Sequence, residues 1–258
     1  MIERETDHHV WVRTLKPFRD MLRDHKIFTA MDINLDRFSD RNVVWFQRDC
    51  SIEPYVGIFQ GEVLCSMGAL SYSNSALHPA LTIGRYCSLG GRINWPGARH
   101  PIEAVSTSTA FYFGRSSNVS AAWADAGRTR PHTATYIYPD KPPPVLGNDV
   151  WVGQDVTFLN GVVVGDGAAI GTQALVSKSV EDFSIMGGNP AKHIRHRFPE
   201  GVRQRLKATR WWQYGMADLL DMPMHEPTAF LEAFERRGPM EPWNPAPLRV
   251  WDEVRRIA

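Results

Sequence analysis

The sequence has little net charge, no long apolar run and few cysteines, and each shortage excludes a class of protein. Its 29 lysines and arginines nearly balance its 28 aspartates and glutamates, for a formal net charge of +1. A nucleic-acid binder needs a clear basic excess, and a membrane-spanning helix needs roughly 20 apolar residues, which no stretch approaches. The first residues, MIERETDHHVWVR, also lack the apolar segment of a secretion signal. We therefore expect neither a nucleic-acid partner nor a membrane span.

The three cysteines, Cys50, Cys65 and Cys87, show no C-x-x-C spacing. This argues against a disulfide framework and against a zinc knuckle, so a cytoplasmic location is expected. What the chain has in quantity is turn formers, with 20 glycines and 18 prolines in 258 residues. Their placement along the chain is the first guide to the fold.

The segment 146–181 divides without a gap into six hexads: LGNDVW, VGQDVT, FLNGVV, VGDGAA, IGTQAL and VSKSVE. Position one is always a large apolar residue, and position five is always small or β-branched. Glycine occupies position two in four hexads, and a shorter patch, IGRYCS and LGGRIN, covers 83–94. Glycine every sixth residue is incompatible with a helix, because each costs about 1 kcal/mol relative to alanine.

This pattern predicts a mainly β fold, a left-handed parallel β-helix with an excursion loop and C-terminal α-helices. Positions one and five are expected to point inward, and glycine at position two is expected to serve a tight turn. An ordinary sheet protein that repeats β-branched residues is the less favoured alternative.

The rest of the chain gives a division into three parts. Residues 1–50 show no repeat, only weak helical character over 15–23, and form an N-terminal extension, either a cap or an acceptor-side element. Residues 51–191 form the β-helix, with a loop insertion at 95–144. Residues 192–258 form a helical region, with helices predicted after Pro199, over 228–237 before Gly238, and over 248–257.

Several motifs resemble one family. The hexads, followed by MGGNPAKHIRHRF and by WWQY at 211–214, look like the left-handed β-helix (hexapeptide-repeat) acyltransferases. IGRYCSLG, followed by RHPIEAVSTSTAFYF, resembles the xenobiotic and streptogramin (CatB-related) acetyltransferase branch. The resemblance covers roughly 64–220, and it implies a homotrimer with active sites between subunits. It also implies direct transfer of acetyl from acetyl-coenzyme A to a hydroxyl or amine, without a metal.

The resemblance assigns His100, in PGARHP, as the general base that accepts the proton of the attacking hydroxyl. A neighbouring carbonyl or carboxylate is expected to hold its tautomer, with Glu103 nearby in sequence. By similarity to sugar acetyltransferases, the backbone N–H of Gln154, in WVGQ, is expected to stabilise the oxyanion.

Two further sets of residues follow from the resemblance. The coenzyme A candidates are Trp151, Gly153, Gly171, Thr172, Ser177, Lys178, Lys192 and Arg195, the last three as phosphate ligands. The acceptor candidates are Tyr72, Trp95, Ser106 and Phe111, within a loosely similar stretch that ends at Phe113. Trp151 equally suits packing on the solenoid wall, and Trp95 equally suits anchoring of the loop.

The leading prediction is an O-acetyltransferase that acts on a carbohydrate hydroxyl, of a polysaccharide or a nucleotide sugar. A chloramphenicol- or streptogramin-type O-acetyltransferase and an amino-sugar N-acetyltransferase remain open. A zinc carbonic anhydrase, the same fold with another chemistry, needs three converging histidines, and the nine histidines include no coil-spaced set within the hexads. A non-enzymatic scaffold would leave His100 and the cations after the last coil without a role.

Overall fold

The computed structural model describes residues 1–96, 100–112, 116–128 and 141–258, and the chain forms two compact units. The larger unit comprises Met1–Trp95 and Pro143–Ala258, and the smaller one Pro96–Pro142. Phe113, which ends the stretch that holds acceptor candidates, and His132, one of the nine histidines, lie outside the described residues.

Short strands make up most of the larger unit. In chain order, the strands are β1 (Ile2–Glu5), β2 (His9–Arg13), β3 (Ile27–Phe28), β4 (Val43–Gln47), β5 (Ser51–Ile52), β6 (Val56–Ile58), β7 (Ser66–Met67), β8 (Tyr72–Ser73), β9 (Thr82–Ile83), β10 (Ser88–Leu89), β11 (Val145–Leu146), β12 (Trp151–Val152), β13 (Thr157–Phe158), β14 (Val163–Val164), β15 (Ala169–Ile170), β16 (Leu175–Val176), β17 (Ser184–Gly187), β18 (Lys192–His196) and β19 (Leu248–Arg249). The α-helices are α1 (Lys16–Asp24), α2 (Ser117–Asp125), α3 (Glu200–Thr209), α4 (Met216–Leu219), α5 (Pro227–Arg237) and α6 (Val250–Ile257), and 3-10 turns cover Thr109–Phe111 and Trp211–Gln213.

The strands stack into the predicted left-handed parallel β-helix, which has three faces. Among the described residues, the first face has the strand order β18-β17-β15-β12-β10-β8-β6-β3, and the second has β14-β11-β9-β7-β5-β19. The third face joins β13 to β16. Adjacent coils pair in register, with Val152 opposite Ile170 and Phe158 opposite Val176. Equivalent hexad positions therefore lie directly above one another.

Both predicted inward positions are confirmed. The twelve residues at positions one and five of the six hexads are each at most 5% exposed. Burial of an aliphatic side chain contributes about 1.5–3 kcal/mol, so the stacked hexads form one continuous apolar core. Leu146, Val164 and Val180 belong to it.

The predicted reason for glycine at position two is wrong. The left-handed backbone conformation occurs at position four, where Asp149, Asp155 and Gly161 have φ of 53°, 58° and 82°. At position two the constraint is the neighbouring coil, because a Cβ on Gly153 would lie 2.7 Å from the backbone nitrogen of Thr172. Glycine is needed there for close coil stacking.

Both flanking segments contribute to the β-helix. Strand β3 pairs with β6 at one end of the first face, and β18 pairs with β17 at the other.

The predicted helices are present as α1, α3, α5 and α6, with Pro199 before α3 and Gly238 after α5. In the described part of the chain no helix has both the length and the apolarity needed to cross a membrane. The three-part division of the chain remains a proposal.

The WWQY segment packs a second core against the β-helix. Trp212 is buried with Phe183, Leu206 and Phe230. The hydroxyl of Tyr86, on the coil, donates to the carbonyl oxygen of Tyr214 at 2.7 Å. This motif therefore fixes the C-terminal helices to the coils.

The three cysteines are buried free thiols, and we expect them to be unreactive in the native protein. Burial raises the pKa of Cys65 and of Cys87 to about 12 and the pKa of Cys50 well above its usual value. Since the thiolate is the reacting species, only about one thiol in ten thousand is ionised at pH 8 when the pKa is about 12. Titration with 5,5′-dithiobis(2-nitrobenzoate) at pH 8 should find no fast-reacting thiol in the folded chain and three after unfolding. A fast-reacting native thiol would contradict the buried placement.

Candidate functional site

His100 lies in the smaller unit, where two oxygens hold one of its ring nitrogens. Its Nδ1 is 2.8 Å from the carbonyl oxygen of Thr107 and 2.8 Å from the hydroxyl oxygen of Tyr112. A carbonyl oxygen only accepts hydrogen bonds, so Nδ1 of the neutral ring carries the proton and donates it. The lone pair is then on Nε2, which is the arrangement that a general base needs.

Serine hydroxyls shape the turn that presents Thr107. The Oγ of Ser106 accepts the backbone N–H of Ser108 at 3.1 Å, and the Oγ of Ser108 accepts that of Ala110 at 3.2 Å. Phe111, at the end of this turn, is 63% exposed. Thus Ser106 lies in the same turn as the His100 contact, and Phe111 presents an apolar surface to solvent.

A row of outward-facing residues runs across the first face of the larger unit. Strand register places Tyr72 beside Ser88, Ser88 beside Trp151 and Trp151 beside Ala169. The row continues through Ile185 to Arg195. Neighbouring strands are about 4.8 Å apart, so Tyr72 lies roughly 10 Å from Trp151 along the row. Trp151, near the middle of this row, is half exposed.

Gly153–Asp155 and Gly171–Gln173, between the first and third faces, form what we term the open corner. Among the described residues, the backbone N–H groups of Gln154 and Thr172 have no hydrogen-bond acceptor. A Cβ on Gly90 would lie 2.9 Å from the Gln154 nitrogen, so glycine there keeps space beside this donor. Exposed N–H groups of this kind suit a developing oxyanion or a ligand carbonyl.

The corner between the second and first faces is different, because carboxylates bind the equivalent N–H groups. Asp166 Oδ1 accepts the N–H of Asn148 at 2.7 Å, and Asp182 Oδ1 accepts that of Asp166 at 2.7 Å. Lys207 pairs with both aspartates. Burial acts to raise the pKa of Asp166, but the Asn148 N–H and Lys207 together hold that pKa below its usual range. This corner is internally satisfied, whereas the open corner has donors to offer.

The three predicted phosphate ligands do not lie on one element. Lys192 and Arg195 are exposed on β18, at the edge of the first face, whereas Ser177 and Lys178 follow β16 at the corner between the third and second faces. A turn connects the two regions, since Leu175 N–H donates to Gly188 O at 3.0 Å and Ala191 N–H to Leu175 O at 2.8 Å. Within the described ranges no carboxylate pairs with Lys178, Lys192 or Arg195, in contrast to Lys207.

Trp95 does not lie on the first face with the acceptor candidate Tyr72. Its ring stacks on Phe158 with centroids 4.9 Å apart and planes at 12°, and it packs against the apolar core. Trp95 directly follows the hexad LGGRIN and thus takes position one of its coil. The alternative that it anchors the start of the loop agrees with this contact.

Two of the described histidines lie close together on β18. In the described ranges, no three histidine, cysteine or acidic side chains are grouped to hold an ion. His193 and His196 lie on β18 with ring centroids 4.5 Å apart. They border the cations at the edge of the first face.

The sequence matches a family profile described as "Bacterial transferase hexapeptide (six repeats)" over residues 143–178. A probable macrolide acetyltransferase of Lysinibacillus sphaericus is 36% identical over 143 residues, which span 55% of this chain and 73% of that protein. A chloramphenicol acetyltransferase of Agrobacterium fabrum is 38% identical over 138 residues, or 51% and 59% of the two chains. The chain thus spans less than two thirds of the length of this second relative.

Among solved structures, a hexapeptide-repeat acetyltransferase from Vibrio cholerae in complex with acetyl-coenzyme A aligns with a TM-score of 0.36 and 19% identity. The alignment covers 58% of this chain and 64% of that one. The family assignment rests on the macrolide acetyltransferase, because 73% of the length of that protein is matched. The chain belongs to the hexapeptide-repeat acyltransferases, in the xenobiotic and streptogramin (CatB-related) acetyltransferase branch that its motifs predict.

Proposed function

We propose that the protein is an acetyl-coenzyme A-dependent O-acetyltransferase that transfers acetyl directly to a hydroxyl of its acceptor, with His100 as general base. One observation carries the proposal. The contact between Nδ1 and the Thr107 carbonyl at 2.8 Å leaves the His100 Nε2 lone pair available. Without such a base a neutral hydroxyl is a poor nucleophile, and a positioned imidazole contributes about 10²–10⁴-fold.

In the proposed reaction, His100 Nε2 takes the proton of the acceptor hydroxyl as its oxygen attacks the thioester carbonyl carbon. The tetrahedral oxyanion is stabilised by the backbone N–H of Gln154, which has no acceptor in the described protein. The carbon–sulfur bond then breaks, and the imidazolium returns the proton to the leaving thiolate. The homotrimer with inter-subunit sites that the resemblance implies remains a prediction.

The first face and the open corner fit coenzyme A. Trp151 would lie beside the acyl group, and Gly153, Gly171 and Thr172 would offer backbone groups to the pantetheine amides. Lys192 and Arg195, exposed and without carboxylate partners among the described residues, suit the phosphates. Ser177 and Lys178, one corner away, are the second candidate contact. Coenzyme A supplies the activated acetyl group.

Replacing Lys192 and Arg195 together with alanine is expected to raise the KM for acetyl-coenzyme A about tenfold or more. The kcat should stay within about twofold, because phosphate contacts act equally in ground and transition states. The exposed Arg236, at the end of α5, gives a matched control whose replacement with alanine should change neither constant. An unchanged KM in the double variant would remove both residues from the cofactor site.

Two acceptor classes remain, and a different observation supports each. The exposed ring of Phe111 suits stacking on a sugar ring, while the two relatives described above are named as macrolide and chloramphenicol acetyltransferases. Thiol release from acetyl-coenzyme A should be measured with maltose, glucosamine and chloramphenicol. Release with maltose or chloramphenicol, which carry hydroxyls but no free amine, supports the proposal, whereas release only with glucosamine would favour N-acetylation. A rate of thiol release that none of these three acceptors changes would count against transfer to a carbohydrate, to an amino sugar and to chloramphenicol.

A further inference from the structure

An ion pair joins two neighbouring coils at the open corner. Arg92 Nε donates to Asp155 Oδ1 at 2.6 Å, and its Nη2 donates to Oδ2 at 2.8 Å. Arg92 belongs to the hexad LGGRIN and Asp155 to the hexad VGQDVT of the next coil. A bidentate pair of this kind fixes the position of the carboxylate as well as neutralising its charge. The pair therefore controls the charge next to the Gln154 N–H.

The backbone sets both partners at equivalent places in stacked turns. Arg92 and Asp155 occupy position four and have φ of 55° and 58°. Asp155 N–H donates to Gly91 O at 2.9 Å, and Gly90 N–H donates to Val152 O at 2.8 Å. Side chains at the same position of stacked turns lie side by side, so the pairing of these two residues follows from the register of the coils.

Asp155 is the one ionisable residue among the six that make up the open corner. Its Oδ2 also accepts Gln154 Nε2 at 3.2 Å, so the carboxylate lies against the residue whose backbone N–H is the proposed oxyanion donor. The hydrogen bond from Arg92 lowers the pKa of Asp155, and the carboxylate is therefore ionised at neutral pH. Without a cation beside it, this charge would oppose the negative charge that develops on the thioester oxygen.

Folding stability gives Arg92 only a weak reason to be at this place. Its side chain is 67% exposed in the pair, and an exposed ion pair contributes little to stability. A left-handed backbone conformation is also uncommon for a residue other than glycine, asparagine or aspartate. The position of the arginine is better explained by the carboxylate that it neutralises at the site of the reaction.

We propose that Arg92 is a positioning residue for acetyl transfer, which neutralises and holds the Asp155 carboxylate so that the oxyanion at the Gln154 N–H meets no uncompensated negative charge. This assignment rests on the proposed function. Because the oxyanion exists only after the acceptor oxygen attacks, loss of Arg92 should lower kcat and leave the KM for acetyl-coenzyme A unchanged.

The test breaks the pair from each side. Arg92→Gln and Asp155→Asn remove the same ion pair, but the first leaves a negative charge at the corner and the second leaves a positive one. A purely structural pair predicts equal effects of the two changes, whereas the proposed role predicts that only Arg92→Gln lowers kcat. Arg205→Gln and Glu235→Gln, which break an exposed pair of 2.8 Å between α3 and α5, are the matched controls.

Thiol release from acetyl-coenzyme A is measured with chloramphenicol and with maltose. We expect Arg92→Gln to lower kcat about five- to tenfold at low ionic strength. The kcat of Asp155→Asn should equal or exceed that of the native protein, and the double variant should return to within about twofold of it. Since salt screens exposed charges, the deficit of Arg92→Gln should shrink in about 0.5 M potassium chloride. The two single variants should have equal melting temperatures, and both controls should match the native protein in kcat.

Three results would overturn the proposal and leave the proposed function intact. They are a native kcat in Arg92→Gln, equal losses of kcat in Arg92→Gln and Asp155→Asn, and a deficit that neither salt nor the second substitution reduces. A native protein that acetylates neither chloramphenicol nor maltose would instead contradict the proposed function, and with it the role of Arg92.

Discussion

Replacing His100 with alanine is expected to lower kcat by at least about 100-fold, with the fold and the affinity for acetyl-coenzyme A unchanged. The imidazole contributes nothing to either hydrophobic core, so its loss removes only the proton acceptor and the contacts to Thr107 and Tyr112. A positioned base accounts for about 10²–10⁴ in rate. Steady-state thiol release with a true acceptor gives the measurement.

His225 provides the control for this change. Its side chain is 82% exposed beside Glu226, and its replacement with alanine should leave kcat and both KM values unaltered. The native protein, the His100 variant and the His225 variant must give the same circular dichroism spectrum. If the His100 variant keeps its full rate of acceptor-dependent thiol release, another group takes the proton and the assignment fails.

Replacing Gln154 with proline is expected to lower kcat by about 10²–10³-fold, whereas alanine at the same position should act within twofold of the native enzyme. Proline removes the backbone N–H, and loss of one oxyanion donor typically has this effect. Alanine keeps the N–H and removes only a side chain whose Nε2 donates to Asp155 at 3.2 Å. The difference between the two variants therefore isolates the main-chain donor.

Another turn of the β-helix already holds proline at the equivalent position. Pro54 already occupies the same third position of a turn whose fourth residue, Tyr55, has φ of 64°, as Asp155 does with 58°. The Gln154 N–H makes no hydrogen bond among the described residues. Replacement with proline therefore breaks no hydrogen bond between them. Melting temperatures of the two variants serve as the check on folding. Equal kcat values for proline and alanine in folded proteins would exclude the Gln154 N–H from catalysis.

The sequence predicted the later coils better than the earlier ones, because strict hexads give coils of constant length. Val164 follows its partner Leu146 by 18 residues, whereas Met67 follows Ile52 by 15 and Ile83 follows Met67 by 16. The shorter coils have no six-residue period, so the sequence pattern does not reveal them as repeats. Trp95 directly follows LGGRIN, and the same period assigns it the inward position one.

The site was predictable only in part, because the contacts within its loop follow no sequence period. His100 was found by its motif, but Thr107 and Tyr112 lie in a loop without a period, and no spacing rule predicts their contact with its ring. Lys178 and Lys192 are close enough in sequence to suggest one cluster, yet a corner and a turn separate them in the fold.

The central claim is direct transfer of acetyl from coenzyme A to an acceptor hydroxyl, and mass spectrometry of one incubation tests it. The native protein is mixed with acetyl-coenzyme A and chloramphenicol or maltose, and both the small molecules and the intact protein are weighed. We predict an acceptor heavier by one acetyl group, an equal amount of free coenzyme A, and a protein of unchanged mass. Coenzyme A released without acetylated acceptor, or a protein that itself carries the acetyl group, would contradict the claim.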